Sequence, residues 1–438
     1  GKNRKPGLWP YCVRSSYVFY YAWVGTMKRI LLLCMLAFSS CTREDPNYVW
    51  LLSLAAGGQT PPSGETSVTV DVSDVTGSPD FLFDTTRTIP VFITVRDPVP
   101  QGSGTLVQIL DSSSAQELLF QATSNAQGSV EGTFTVNQTT KLVTLRVTIG
   151  TDVHTWTINI TDVQEIRRFL FVTGEVNMTL VADADSDGVP DSQDAYPLDA
   201  TRSAIIRVPA QGFYTVAFED LYPVQGDADF NDYVAEVRYE QDLDASGRVA
   251  RMRGFVRHIA RGAGYRHTLR LTLPTTSSSF HSKLFAANGS LELENETALT
   301  SFEGIEVMPN SGTTISSANS AAGEVYAPGK SSEFEVIPAT PMALASLGNA
   351  PYDLHLHVVN TGYDIHFLGR YLDANGHDQY LDPSGFPWAI MIPGNWSWPL
   401  ERVNMHTAYP KFQEWYQSAG QAQTDWYLTP AAGKVFSK

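Results

Sequence analysis

The chain is poor in cysteine, in charge and in long apolar runs. Its three cysteines, Cys12, Cys34 and Cys41, all lie near the start, so no disulfide framework can staple the bulk of the fold. No apolar run approaches the ~20 residues that a membrane helix needs; Ile30–Phe38 has nine. Gly-x-Ser-x-Gly, a P-loop and a dinucleotide fingerprint are all absent, which removes the commonest serine-hydrolase and nucleotide readings. Basic residues are the scarcer sign, 30 against 46 acidic, for a net charge of −16. A surface of that sign repels nucleic acid and anionic lipid, so a DNA- or RNA-binding role is excluded.

What is present begins with a leader. Met27-Lys28-Arg29 is a short basic start, Ile30–Phe38 is apolar, and Ser39-Ser40-Cys41 places small residues before a cysteine. This resembles a bacterial lipoprotein signal, with Phe38 where a leucine is usual. Cys41 is the expected lipidation site and the acyl chains the expected membrane anchor. Residues 1–26 carry no acidic residue and are expected to be an over-extended start, with the signal peptide and lipobox at 27–41. Removing residues 1–40 takes six of the 30 basic residues and none of the acidic ones, leaving a net charge near −22. Thr42 follows the cysteine, so the aspartate that retains some lipoproteins in the inner membrane is missing. The expected location is the outer membrane or cell surface.

Beyond the leader the pattern is that of an all-β protein. Residues 42–64, with Gly57-Gly58 and Pro61-Pro62, read as a flexible tether. From 65 to 160 short alternating segments are separated by turn clusters; Ile89–Val95 and Leu142–Ile149 are the clearest. About seven strands in that length predict an immunoglobulin-like sandwich, read as a spacer or adhesion-type module. Residues 161–200 form a junction, with a strand-like segment from Arg168. Residues 201–438 are expected to form a larger, jelly-roll-like β-sandwich with a short C-terminal helix between Pro410 and Gly420. Val237 and Tyr239 are expected to pair with Ala250 and Met252 across a turn at 242–247. Arg251, Arg253, Arg257 and Arg261 then face Glu236, Arg238 and Glu240 as a solvated charge ladder.

The most specific motif is Asp183-Ala-Asp185-Ser-Asp187-Gly188-Val189-Pro-Asp191-Ser-Gln-Asp194. Carboxylates at positions 1, 3, 5, 9 and 12, a glycine at 6 and a carbonyl at 7 (Val189) match a loop that wraps a hard cation. Unneutralised, such a cluster repels itself, and its all-oxygen donors favour Ca²⁺. With aspartate at position 12 and no flanking helices, it resembles a thrombospondin type-3 repeat more than an EF-hand. A second acidic cluster follows, Glu219 and Asp220, then Asp227, Asp229, Asn231 and Asp232. Burying it without a cation is costly, and the interleaved Phe218, Phe230 and Tyr233 tie it to a core. It is expected to be a second Ca²⁺ site.

Phe218-Glu-Asp-Leu-Tyr-Pro223 with Gly226-Asp-Ala-Asp-Phe-Asn-Asp-Tyr-Val234 resembles the signature of LruC-domain lipoproteins, the leptospiral surface-antigen family. Pro387-Trp388 through Glu401 and Ala408-Tyr409-Pro410 through Trp415 are similar to it as well. The resemblance implies a surface-exposed lipoprotein and no particular reaction. The expected function is therefore non-catalytic binding or display at the cell envelope, with structural Ca²⁺ and a host matrix, glycan or envelope partner. A carbohydrate- or matrix-binding adhesin is the alternative, with the aromatics of 388–427 as a sugar platform or, more simply, as core. A metallohydrolase is the weaker one: His355 and His357 share a strand face and His366 follows, a donor set suited to Zn²⁺ or Fe²⁺, unless these histidines simply face solvent. Glu219 and Asp220 make a poor acid–base pair, since neighbours on a strand point to opposite faces.

Overall fold

A computed structural model describes residues 81–96, 104–171, 181–262, 264–382 and 384–438. The leader, Cys41, the tether and the first expected strand lie outside the described residues. All the described residues belong to one compact unit, Val68–Lys438, and none of their helices is long and apolar enough to cross a membrane.

The fold is all-β, with sandwich-like pairs of sheets and a few short helices near the C-terminus. Among the described residues the first part has seven strands: β1 (Thr86–Arg96), β2 (Leu106–Asp111), β3 (Leu118–Thr123), β4 (Ser129–Asn137), β5 (Leu142–Ile149), β6 (Asp152–Asn159) and β7 (Ile166–Phe171). They form a three-stranded sheet, β4–β1–β7, and a four-stranded one, β3–β2–β5–β6. Alternate residues of the central strands, Ile89, Val91 and Ile93 with Val143, Leu145 and Val147, fill the layer between them. Pro90 interrupts no pairing with β7, because the parallel register of β1 with β7 starts one residue later, at Val91. The segment from Ile166 therefore belongs to the sandwich as its seventh strand, beyond the limit expected at 160.

The second part contributes β8 (Ala204–Val208), β9 (Tyr214–Phe218), β10 (Tyr233–Leu243), β11 (Arg248–Ala260), β12 (His267–Thr272), β13 (Ser278–Phe285), β14 (Leu291–Leu299), β15 (Ile305–Met308), β16 (Ser331–Pro338), β17 (Met342–Ala343), β18 (Asp353–Val358), β19 (Tyr363–Ile365) and β20 (Ala389–Pro393). A nine-stranded sheet runs β14–β13–β16–β11–β10–β9–β20, with β8 added to β10 and β17 to β11; β15–β12–β18–β19 form a separate sheet. Their apolar faces share one core, in which Val256, Phe334, Leu269, Leu354 and Leu356 are buried. Gly254 is required there, since a Cβ on it would lie 2.0 Å from the Phe334 ring. The β10–β11 register differs from expectation: Tyr239 faces Gly254, and Met252 faces Gln241. A tight turn closed by Gly247 N–H to Asp244 O and a bulge at Asp242/Leu243 move the pairing along.

Among the described residues four short α-helical turns accompany the strands: α1 (Ser311–Thr314), α2 (Leu344–Leu347), α3 (Met405–Ala408) and α4 (Phe412–Gln417). Only α4 was legible in the sequence. Around it, Trp396, Trp398, Trp415, Trp426 and Tyr416 are buried, as is Trp388. The aromatics of 388–427 are thus core. Phe81 and Phe83, which precede β1, insert among them, with the Phe83 ring 6.0 Å from Trp415 and 5.6 Å from Tyr416. The seven-stranded part therefore docks directly on the larger one, a contact reinforced by Trp415 Nε1–H donating to Gln138 Oε1 and by Thr123 N–H donating to Ala245 O.

Candidate functional site: two acidic clusters and a histidine cluster

The 183–194 loop folds so that each carboxylate divides its work. Gly188 N–H donates to Asp183 Oδ2, Asp187 N–H to Asp185 Oδ1, Val189 N–H to Asp187 Oδ1 and Tyr196 N–H to Asp194 Oδ1. The other oxygens, Asp183 Oδ1, Asp185 Oδ2, Asp187 Oδ2 and Asp194 Oδ2, are buried without a hydrogen-bond partner. Donor oxygens of Asp183, Asp185 and Asp187 lie within 4.8 Å of one another. Gly188 makes the turn at φ +94°, where a side chain would be strained. Burial, then the neighbouring Asp194, Asp185 and Asp183, push the Asp187 carboxyl up to about 6; burial and the same kind of crowding raise Asp194. Partnerless buried carboxylate oxygens at this density fit an oxygen-ligated divalent cation. Asp191 is placed differently, its Oδ1 accepting Ala184 N–H, and Val189 packs its side chain into the interior.

The loop also ties the two parts of the fold together. Gln193 O accepts from Gln121 Nε2 and Gln193 Oε1 from Thr148 Oγ1, on the first sandwich. On the other side Tyr196 lies under the Arg202 guanidinium at 4.2 Å and accepts from Arg251. Arg251, Arg253 and Arg202 all converge on Asp242, which is fully buried. The charge ladder holds for Arg253 with Glu240 and Arg257 with Glu236, but Glu236 and Asp242 are buried rather than solvated, and Arg261 leaves the ladder to donate to the Ile315 carbonyl.

The second acidic cluster divides between two directions. Glu219, Asp227 and Asp229 bring donor oxygens within 4.8 Å of one another. Phe230 N–H donates to Glu219 Oε1, Arg402 N–H to Asp229 Oδ2 and Asn231 N–H to Asp229 Oδ1. Asp232 Oδ2 accepts Asp220 N–H, while the Asp220 carboxylate turns away to His267 Nε2, 3.0 Å off in the interior. Asn231 spends its amide N–H on Pro399 O and leaves Oδ1 buried and unpaired. Burial first, then like charges, raises Glu219 and Asp232 well above the carboxylate range and lifts Asp229 to about 8. Asp220, expected in the same site, thus leaves it for His267.

His355 and His366 are not solvent-facing. They are 4% and 7% exposed and stack with ring centroids 4.2 Å apart. Asp353 joins them: His366 Nδ1 lies 2.7 Å from Asp353 Oδ1, and Tyr371 donates to Asp353 Oδ2 at 2.7 Å. Burial would raise Asp353, but these hydrogen bonds outweigh it and hold its carboxyl low. Burial, then the nearby His366, lowers His355 to about 4. His357 is not part of this group, pairing instead with Asp364 at 2.7 Å. Asp353 precedes His355 by two residues, so its place beside His355 could have been read from strand periodicity.

Residues 247–427 match the model of a domain of unknown function, DUF4842. The match takes in β11 through α4 and the histidine cluster, and leaves out both acidic clusters. No curated protein matches. Among solved structures, a "Putative lipoprotein from Bacteroides ovatus" aligns at 17% identity over 76% of this chain and 100% of its own, with a TM-score of 0.47. A structure of carbohydrate-binding modules from the β-sandwich superfamily aligns at 11% identity over 58% of this chain and 92% of its own, with a TM-score of 0.13. Both alignments are too loose to carry an argument about function.

Proposed function

We propose that this protein is a lipid-anchored module of the cell envelope, held at the outer membrane or cell surface through Cys41. It binds or displays rather than catalyses, and structural Ca²⁺ braces it. The observation that carries this reading is the set of four buried, partnerless carboxylate oxygens of Asp183, Asp185, Asp187 and Asp194. An all-oxygen donor set of this kind suits Ca²⁺, and Asp191 and the Val189 carbonyl complete the loop's expected ligands. Glu219, Asp227 and Asp229, with Asp232 alongside, are the proposed second site. The likeness to LruC-domain lipoproteins supports the same reading, although its main signature at 218–234 precedes the DUF4842 match at 247–427. Calorimetric titration of the chelated protein tests it. One high-affinity Ca²⁺ event should vanish in Asp185→Ala/Asp187→Ala; heat identical in both proteins would contradict the reading. Acyl labelling lost in Cys41→Ser tests the anchor separately.

A glycan-binding reading has one observation in its favour. A groove of about 300 Å³ on the outer face of the nine-stranded sheet is lined by Phe255, Arg238, Arg253, Lys283 and Glu333. Phe255 packs 5.4 Å from Phe213, with Arg238 over the latter ring. Apolar faces edged by charge suit sugars. Retention on immobilised glycans that Phe255→Ala abolishes would support this reading, and retention unchanged by it would count against the groove.

A further inference from the structure

We propose that His355 and His366 form a binding site for a borderline divalent cation of the Zn²⁺ class, oriented by Asp353 and independent of the acidic clusters. Hydrogen bonds fix which ring nitrogen of each histidine carries the proton. His355 Nδ1 lies 3.2 Å from the backbone carbonyl of Asp353, and a carbonyl can only accept, so that nitrogen is the protonated one. His366 Nδ1 lies 2.7 Å from Asp353 Oδ1, whose carboxylate also accepts from Tyr371. In the neutral form of each ring the lone pair therefore sits on Nε2, and no described residue hydrogen-bonds either Nε2. Metal-ligating histidines are held in this way, one nitrogen fixed by a carboxylate or a backbone carbonyl and the other presented to the ion.

The placement agrees with that chemistry. Donor atoms of Asp353, His355 and His366 lie within 4.8 Å of one another. Asp353 and His355 sit two residues apart on β18, and His366 follows β19, which pairs with β18. Gly304 leaves the approach to His355 Nε2 open, since a Cβ there would stand 3.9 Å from it. Two imidazoles select Zn²⁺ and its neighbours over Ca²⁺. The stacked rings, 21° from parallel, must turn out of the stack for both lone pairs to meet one ion at about 2.0–2.1 Å, with water completing the coordination.

The test is Zn²⁺ binding to the full chain, purified without chelator or metal resin, measured by metal analysis and competition with a chromophoric chelator. One equivalent is expected. Affinity should fall more than tenfold in His355→Gln and in His366→Gln, and roughly 10–100-fold in Asp353→Asn, the usual effect of losing an orienting carboxylate. It should be unchanged in His377→Gln, at an exposed histidine, and in Asp185→Ala/Asp187→Ala, which separates this site from the calcium reading. Binding that is absent, or equal in wild type and both buried-histidine variants, would overturn the proposal. Should those variants fail to fold, histidine ring NMR of the wild type decides: Zn²⁺ must shift two buried rings, and a shift confined to exposed rings would overturn it.

Discussion

Asp242 shows how a single residue reorganises a surface. Its side chain is fully buried, yet Arg251 and Arg253 reach it at 2.5 and 2.6 Å and Arg202 at 3.4 Å. Asp242→Asn keeps the volume and removes the buried charge that three part-buried guanidinium groups share, leaving each with one other carboxylate (Asp199, Glu335 or Glu240), so urea unfolding should show a loss of roughly 3 kcal/mol. His258 makes the opposite kind of prediction. It is buried against Tyr233, with Nδ1 2.6 Å from Thr314 Oγ1, and burial lowers it from its ordinary 6.5 to about 3. The unfolded chain binds a proton there below pH 6.5 and the folded one does not until near pH 3. Stability should therefore fall as the pH drops through that window, by up to about 1.4 kcal/mol per pH unit from this group. Urea titrations at pH 6.5 and 5 should show a smaller loss in His258→Gln than in wild type; an equal loss would remove His258 from the account. Neither residue was legible beforehand. Asp242 reads as the first residue of a turn at 242–247, and only its place in β10 opposite Arg251, beside the bulge at Asp242/Leu243, reveals that it lies inside.

The elements follow the sequence where periodicity is strong and depart from it where tertiary contacts decide. Alternation marks β1, β5 and β12 cleanly, whereas β7 is short and gains its place only by parallel pairing with β1. Helical turns of four residues carry too little period to be read at all. The Asp loop was the most legible element, because its chemistry is local. The histidine cluster was half legible: strand spacing groups Asp353, His355 and His357, but the β18–β19 hairpin brings in His366 and gives His357 to Asp364. Two predictions belong here. Phe83→Ala, which empties a site ringed by Phe386, Phe412, Trp415 and Tyr416, should cost about 3–5 kcal/mol in urea unfolding. The exposed strand β14 presents Glu292, Glu294 and Glu296 on one face beside Leu291 and Leu293 on the other, and like charges on such a strand oppose self-pairing. Replacing the three glutamates with threonine should produce concentration-dependent association in gel filtration.

At the scale of the whole molecule, charge is organised in columns across the large sheet. Glu294 on β14 meets His281 and Lys283 on β13; Glu335 on β16 meets Arg251 on β11; Glu240 on β10 meets Arg253. Each exposed pair contributes little by itself, but together they favour one register across the strands. The acidic loop joins this sheet to the first sandwich through Tyr196 and Gln193, so its rigidity bears on the entire chain. On the proposed reading a cation neutralises the densest carboxylates of this acidic chain, in the loop that links its two parts. The most direct measurement is a thermal melt of residues 65–438 with Ca²⁺ and with chelator, repeated on Asp185→Ala/Asp187→Ala. At about 100 times the Kd a native-state site adds roughly 2.7 kcal/mol, so the wild type should melt several degrees higher with Ca²⁺ and the variant should lose most of that rise. Identical melts with millimolar Ca²⁺ and with chelator would contradict the account.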